Sequence, residues 1–293
     1  MNGITFFSAP KPFAGHIGVI QNNAIRSWSM LRGAEIILCG KDDGIEEAAK
    51  KFGATWIPEI ETSQFGTPLL SAIFRQSIEQ AKNSLVCYIN ADIMLTSDFL
   101  RAAERIHRQR FLMVGRRWNV DITEPWNFNA YDWEEKLREF AVTKGELFTP
   151  AGIDYFLFPR KDEIGKLRPF IVGRPRWDNW FIFNTLRSGC PVIDATGAIV
   201  AVHQNHDYRH VPQQRGNGVE GPEADWNERL VETPNYTFTI NDATHTMGRR
   251  FILPALAWRY LHKRLKSLPI LHPGVKPVGR PLRKLVNSLG FSA

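Results

Sequence analysis

Short apolar, β-branched runs alternate with helix-length segments through the first half of the chain. Ile4–Ser8 and residues 35–39, 54–57 and 111–115 are brief apolar stretches bounded by polar or turn residues, which predicts strands. Between them, residues 23–31, 44–52 and 67–82 carry apolar positions at helical spacing. Gly53 ends the second helix, and Thr67-Pro68 is read as opening the third, with Thr as cap and Pro in the first turn. Ser97 or Asp98 caps a further helix to about residue 109. Such alternation predicts an α/β fold, Rossmann-like, with a mostly parallel central sheet flanked by helices.

The second half is less regular. Residues 118–133 are aromatic and polar and read as loops near a site, residues 132–142 and 179–188 as helices, and residues 153–158 and 198–202 as strands. From Met247 onward Phe251, Pro254, Trp258, Leu261 and Leu265 recur at spacings of three and four, with Arg259, Lys263 and Lys266 on another face. This predicts a basic amphipathic helix, beyond which Pro269, Pro273, Pro277 and Pro281 interrupt any continuous one. The division expected is a catalytic domain over residues 1–246 and a basic helical, Pro-rich tail over 247–293.

Residues 84–92, Ser-Leu-Val-Cys-Tyr-Ile-Asn-Ala-Asp, concentrate the chemistry. They read as a buried strand ending in a carboxylate, and open α/β sheets bind ligands outside the carboxyl ends of their strands. Asp92 there can hold a divalent cation, Mg²⁺ or Mn²⁺ by its hard oxygen, and through it a diphosphate. Gly66 and Thr67 either shape a phosphate or nucleotide pocket at a helix start or are only that start. His203 and His206 follow a strand in Val-His-Gln-Asn-His-Asp-Tyr and either complete the metal site or form a polar turn. One of the two histidines is expected to reach the ion.

Asp178 lies between indoles in Trp177-Asp178-Asn179-Trp180. It can deprotonate an acceptor hydroxyl, cap a helix, or do both, and tryptophan faces suit sugar rings. Asp154 in Gly-Ile-Asp-Tyr can bind an acceptor hydroxyl or serve a turn. Arg26 on the first helix can contact donor base or phosphate, or belong to a solvated face.

Charge changes the picture mainly at the end of the chain. Of 37 Lys/Arg, ten lie in residues 246–293, which hold no Asp/Glu; the preceding residues carry 27 against 30 acidic groups, a net of −3 beside the tail's +10. A near-neutral body predicts no nucleic-acid channel, whereas the tail fits an anionic membrane surface. No apolar run is long enough to span a bilayer, and no secretory signal is evident at the N-terminus. Cys39, Cys87 and Cys190 are too scattered for a metal motif and read as reduced thiols of a cytoplasmic protein. No Gly-x-Gly-x-x-Gly follows the first strand, and neither a Walker-type loop nor a nucleophile elbow is present.

In order along the chain, Phe65-Gly66-Thr67-Pro68-Leu69-Leu70, Tyr88-Ile89-Asn90-Ala91-Asp92, Gly152-Ile153-Asp154-Tyr155, Trp177-Asp178-Asn179-Trp180 and residues 203–208 resemble the nucleotide-diphospho-sugar transferases of the GT-A fold, particularly family-two-like bacterial glycosyltransferases. The resemblance spans residues 4–246. It implies a glycosyltransferase moving a sugar from a nucleotide-sugar donor to a hydroxyl acceptor, a glycan or lipid-linked molecule, with Mn²⁺ or Mg²⁺ as cofactor. Asp92 would bind metal and donor diphosphate, with Asn90, Ala91, Gly66, Thr67 and Arg26 also on the donor. His203 or His206 would complete the metal shell. Asp178 would be the base of an inverting reaction, with Asp154, Trp177, Asn179 and Trp180 about the acceptor. Asn90 departs from the family's usual first Asp, which leaves one negative charge fewer on the metal. The competing expectations are a nucleotidyltransferase, whose Gly-rich loop is missing after the first strand, and a non-catalytic glycan-binding protein.

Overall fold

A strand buried on both faces reads as an unbroken apolar run, and the central strands here are of that kind. The computed structural model describes residues 3–206, 220–231 and 237–274. Its first part runs β1 (Ile4–Ser8), α1 (Gly15–Ser29), β2 (Ala34–Cys39), α2 (Ile45–Phe52), β3 (Thr55–Ile57), α3 (Leu70–Gln80), β4 (Leu85–Ile89), β5 (Ile93–Met94) and α4 (Asp98–Glu104). There follow β6 (Leu112–Val114), β7 (Arg117–Val120), α5 (Trp133–Lys144), β8 (Glu146–Leu147), β9 (Tyr155–Pro159), α6 (Trp177–Arg187) and β10 (Val192–Asp194). The last elements are β11 (Ala201–Gln204), α7 (Pro222–Leu230), β12 (His245–Met247), β13 (Ile252–Pro254) and α8 (Trp258–Leu271).

Nine strands form one sheet in the order β13-β12-β10-β6-β9-β4-β1-β2-β3. β3, β2, β1 and β4 are parallel to one another, as are β6, β10 and β12. β9 runs against both groups, and β13 against β12. A smaller sheet, β5-β11-β7-β8, stands at the carboxyl end of β4. The protein is thus α/β with a mostly parallel central sheet flanked by helices, as the alternation predicted.

Side-chain alternation along each strand splits the core into two layers. Phe7, Ile37, Val86 and Tyr88 face α3 and α6 on one side, while Phe6, Ile36, Cys87 and Ile89 face α1, α2 and α4 on the other. Phe74 of α3 is the hub of the first layer, with ring centroids 4.9 Å from Phe7, 5.3 Å from Tyr88 and 5.8 Å from Phe181. Phe74→Ala is expected to cost about 3–5 kcal/mol, by cavity formation and loss of ring contacts. Urea unfolding of the variant checks this; a loss under about 1 kcal/mol would mean the layer repacks around the gap.

Several elements differ from the sequence expectation. α1 begins at Gly15, because Ile17, Ile20, Ala24 and Trp28 continue one helical ridge toward the N-terminus. α3 begins at Leu70, and Thr67-Pro68 is not its first turn. Bridges from Thr62 to Pro68 and from Leu69 to Ile171 hold this stretch extended, and Leu70 N–H donates to the Phe170 carbonyl at 2.7 Å. Residues 117–120 form β7 rather than loop, paired with β11 and β8. Trp126, Phe128 and Trp133 pack in a third apolar cluster with Val120 and Leu137, Trp133 buried and the other two half-buried.

At the C-terminal side, Phe251 and Pro254 lie in or beside β13, and helix starts only at Trp258. α8 then passes Pro269 and ends at Leu271, so this proline does not stop it. α8 packs on the body: Tyr260 is buried, its hydroxyl donating to Asp194 at 2.7 Å, and Lys263 Nζ reaches the Thr237 carbonyl at 2.8 Å. Pro277 and Pro281, and Asp207 and Tyr208 of the histidine segment, lie outside the described residues. All three cysteines are buried free thiols, as expected.

Candidate active site

The parallel strands aim their carboxyl ends at one cleft of about 290 Å³. Among its lining residues are Lys11, Gln21, Tyr88, Asn90, Ala91, Asp92, Arg117, Asp154, Arg174, Trp177, Asp178, His203 and His206. Strand direction explains the gathering. β1 delivers Lys11, β4 delivers Asn90 to Asp92, and β11 pairs with β5 and β7 so that His203 stands opposite Ile93 and Asn119.

β11 and the segment after Ile89 are fastened to one another. The Gln204 backbone N–H and side-chain amide both donate to the Asp92 carbonyl, each at 3.2 Å. Beyond the strand, Asn205 N–H donates to the Val120 carbonyl, and its side-chain amide to Asp121. This turn lets residues 203 and 206 present their rings to one carboxylate. His206 Nε2 lies 3.1 Å and His203 Nε2 3.6 Å from Asp92 Oδ2. Both imidazoles therefore approach Asp92.

Burial pushes the Asp92 carboxyl toward its protonated form, but His203, His206 and Lys11 together outweigh this and hold its pKa well below the usual carboxylate range. Burial depresses the His203 pKa against the pull of Asp92, which favours the neutral imidazole that a metal requires. Ligand atoms of Asp92, His203 and His206 all lie within 4.8 Å of one another. Donors bound side by side at metal–ligand lengths near 2.1 Å sit roughly 3 Å apart, so small side-chain movements would bring this trio onto one ion. Asp92 Oδ1 is buried and has no hydrogen-bond partner, a lone pair left for an ion or ligand. The residues fit a divalent cation.

Lys11 sits between two prolines in the loop after β1, with its backbone clamped by Gln21. Lys11 N–H donates to Gln21 Oε1 at 2.7 Å, and Gln21 Nε2 donates to the Lys11 carbonyl at 2.8 Å. Burial lowers the Lys11 pKa, opposed by the attraction of Asp92. The cleft thus carries a lysine that shares its lining, and an electrostatic attraction, with the metal-type carboxylate.

Asp154 is buried and tied on one oxygen, receiving Asn90 Nδ2 at 2.8 Å and Arg117 Nη1 at 2.5 Å. Its Oδ2 is buried without a hydrogen-bond partner. Asn90 is therefore turned toward Asp154, a use that the sequence did not suggest. Asp178 is the second residue of α6, so the cap position belongs to Arg176, whose backbone is left-handed at φ 84°. Burial raises the Asp178 pKa to about 7, against hydrogen bonding from its own helix N-terminus and with repulsion from Asp154 adding to the rise. A carboxyl that changes protonation near neutrality in a cleft is suited to proton transfer.

Five expected site residues stand apart from the cleft lining. Arg26 is on an exposed face of α1. Gly66 forms an exposed turn with φ 84°, and the Thr67 hydroxyl donates to Glu223 of α7. Asn179 Nδ2 donates to the Phe238 carbonyl at 2.7 Å, and Trp180 is buried against Phe170 with Arg168 over its ring. The reason is common to the last two: α6 shows only one side to the cleft, which takes Trp177 and Asp178. Lys11, Gln21, Arg117 and Arg174 are the residues that sequence reasoning missed. Only the Pro-Lys-Pro stretch after β1 carried a local signal.

No protein-family model matches this chain, and no curated protein matches it in sequence. Among solved structures, glucosyl-3-phosphoglycerate synthase from Mycobacterium tuberculosis in complex with Mn²⁺, UDP and phosphoglyceric acid gives a TM-score of 0.44 at 16% identity, over 70% of this chain and 72% of that one. S. aureus TarS gives 0.33 at 12% identity, over 41% of this chain and 22% of that one, so the match spans about a fifth of TarS. Likeness this distant carries no weight for what the cleft does.

Proposed function

We propose that this protein is a metal-assisted glycosyltransferase of the GT-A type, transferring a sugar from a nucleotide diphosphate donor to a hydroxyl acceptor. The observation that carries the reading is the trio Asp92, His203 and His206 at the carboxyl end of the parallel strands, in one cleft with Lys11 and Asp178. These three side chains would hold the cation, and two imidazoles beside one carboxylate favour Mn²⁺ over Mg²⁺. When bound, such an ion neutralises charge developing on a departing diphosphate. Lys11 adds a fixed positive charge at the same end of the cleft. Asp178 takes the proton of the acceptor hydroxyl, as an inverting transfer requires. Tyr88 and Trp177, in edge contact at 5.1 Å, form an apolar wall that limits water at the reacting centre.

The acceptor is placed at an anionic membrane surface, as a glycan or lipid-linked hydroxyl, on the composition of residues 247–293, which hold ten Lys/Arg and no Asp/Glu. No helix among the described residues is long and apolar enough to cross a membrane. Three unpaired thiols accord with a cytoplasmic enzyme acting at the inner face.

A thermal-shift panel of UDP-, GDP- and dTDP-sugars, each with and without Mn²⁺, tests the reading. One donor class should raise Tm by several degrees only with Mn²⁺, corresponding to about 2.7 kcal/mol at a hundredfold excess over Kd. The same donor should be hydrolysed slowly to free sugar and nucleoside diphosphate. No shift and no hydrolysis with any donor would contradict it.

A further inference from the structure

The far edge of the large sheet exposes an unusual amount of hydrocarbon. Among the described residues β13 pairs only with β12, and alternation along it turns Ile252 toward the core while Phe251 and Leu253, 67% and 57% exposed, face outward. The chain then presents Leu256 at 65% and Trp258 at 41%. Among the described residues nine large apolar side chains are exposed, and five of them, Leu265 included, fall in residues 251–265. An open apolar edge strand invites association, and clustered exposure of this kind marks an interaction surface.

Its charge identifies what it meets. Arg249 and Arg250, both exposed, precede Phe251, and Arg259 and Lys266 are exposed beyond it. Arg105 of the loop after α4 donates to the carbonyls of Gly248 and Arg249, which fixes this turn to the body. No Asp or Glu occurs after Asp242. A second copy of this chain paired through the same patch would set these arginines against their own images. An anionic bilayer suits both features, since Phe, Leu and Trp enter the headgroup boundary while Arg and Lys pair with lipid phosphates.

We propose that the outward face of β13 and the segment through Trp258, framed by Arg249, Arg250 and Arg259, is a docking surface for anionic lipid. It rests on the membrane-side reading of residues 247–293 and relocates the contact from the helix to the edge strand. α8 itself is the brace: its Tyr260 and Ser267 side packs on the body.

Flotation of the full chain with phosphatidylglycerol/phosphatidylcholine vesicles, against phosphatidylcholine alone, tests this. The wild type should float with the anionic vesicles only. Phe251→Ser/Leu253→Ser/Leu256→Ser, all at exposed positions, should keep its Tm and lose vesicle partitioning roughly tenfold or more. Arg249→Ser/Arg250→Ser should lose a comparable amount, and salt should suppress wild-type binding. If the triple variant floats like the wild type, the contact lies elsewhere in residues 247–293 and this surface is refuted while the membrane reading stands. A wild type that never floats with anionic vesicles, or that self-associates through the patch instead, refutes both.

Discussion

Replacing Asp92 with alanine is expected to reduce sugar transfer or donor hydrolysis by about a thousandfold and to abolish the stabilisation that Mn²⁺ gives. The magnitude follows from the role. Lewis-acid neutralisation of a leaving diphosphate supplies several kcal/mol, and each 1.4 kcal/mol is tenfold in rate. Asp92 is the only carboxylate of the trio, so its loss removes the anionic ligand and leaves two imidazoles. His203→Ala or His206→Ala should act in the same direction with smaller effect. Paired rate and thermal-shift measurements check this; an Asp92→Ala enzyme that retains both activity and the Mn²⁺ response would remove the assignment.

Asp178→Asn should cost activity by about a hundredfold to ten-thousandfold, the usual range for a lost general base, while making the protein more stable above neutral pH. The sign follows from the raised pKa. A carboxyl moved from an ordinary 3.8 to about 7 binds its proton more tightly in the folded chain than in the unfolded one. Its contribution is favourable at low pH and is lost as pH climbs through that interval, because ionisation in the cleft is penalised. Asparagine removes the penalty. Allowing for water in the cleft, the gain at pH 8 is on the order of 2 kcal/mol, or a few degrees in Tm, and it should shrink toward pH 5. Wild-type turnover should rise through pH 7 and level off above it. A variant that is inactive yet no more stable at pH 8 would point to a structural role for Asp178.

How much of this was legible in the sequence depends on the range of the interactions involved. β4 and Asp92 could be read locally, because an apolar run closed by a carboxylate needs no partner to be recognised. The histidines after β11 and the indole-flanked Asp178 were legible for the same reason, and the cleft brings them together. Thr67-Pro68 misled because its helix-start chemistry is overridden by a bridge from Pro68 to Thr62 and a long-range one from Leu69 to Ile171. Arg117 was hidden since β7 is a strand only through pairing with β11 and β8. β10 offers three residues, too few to stand out, yet it joins β6 to β12 and carries the sheet to its far edge. The aromatics of residues 118–133 read as loops near a site, but Phe128 and Trp133 meet edge-on and Trp126 packs against Phe140 in a separate apolar cluster. Trp177 and Asp178 differ from Asn179 and Trp180 only in which side of α6 they occupy, and periodicity cannot say which side meets a cleft.

The most direct test of the central claim is an electron paramagnetic resonance titration of Mn²⁺ into the purified protein, with and without UDP, beside Asp92→Ala and His206→Ala. The account predicts one tight site in the wild type, strengthened by UDP, weakened in the histidine variant and absent in the aspartate variant. Free Mn²⁺ signals that are identical in all three proteins, with UDP present, would contradict it.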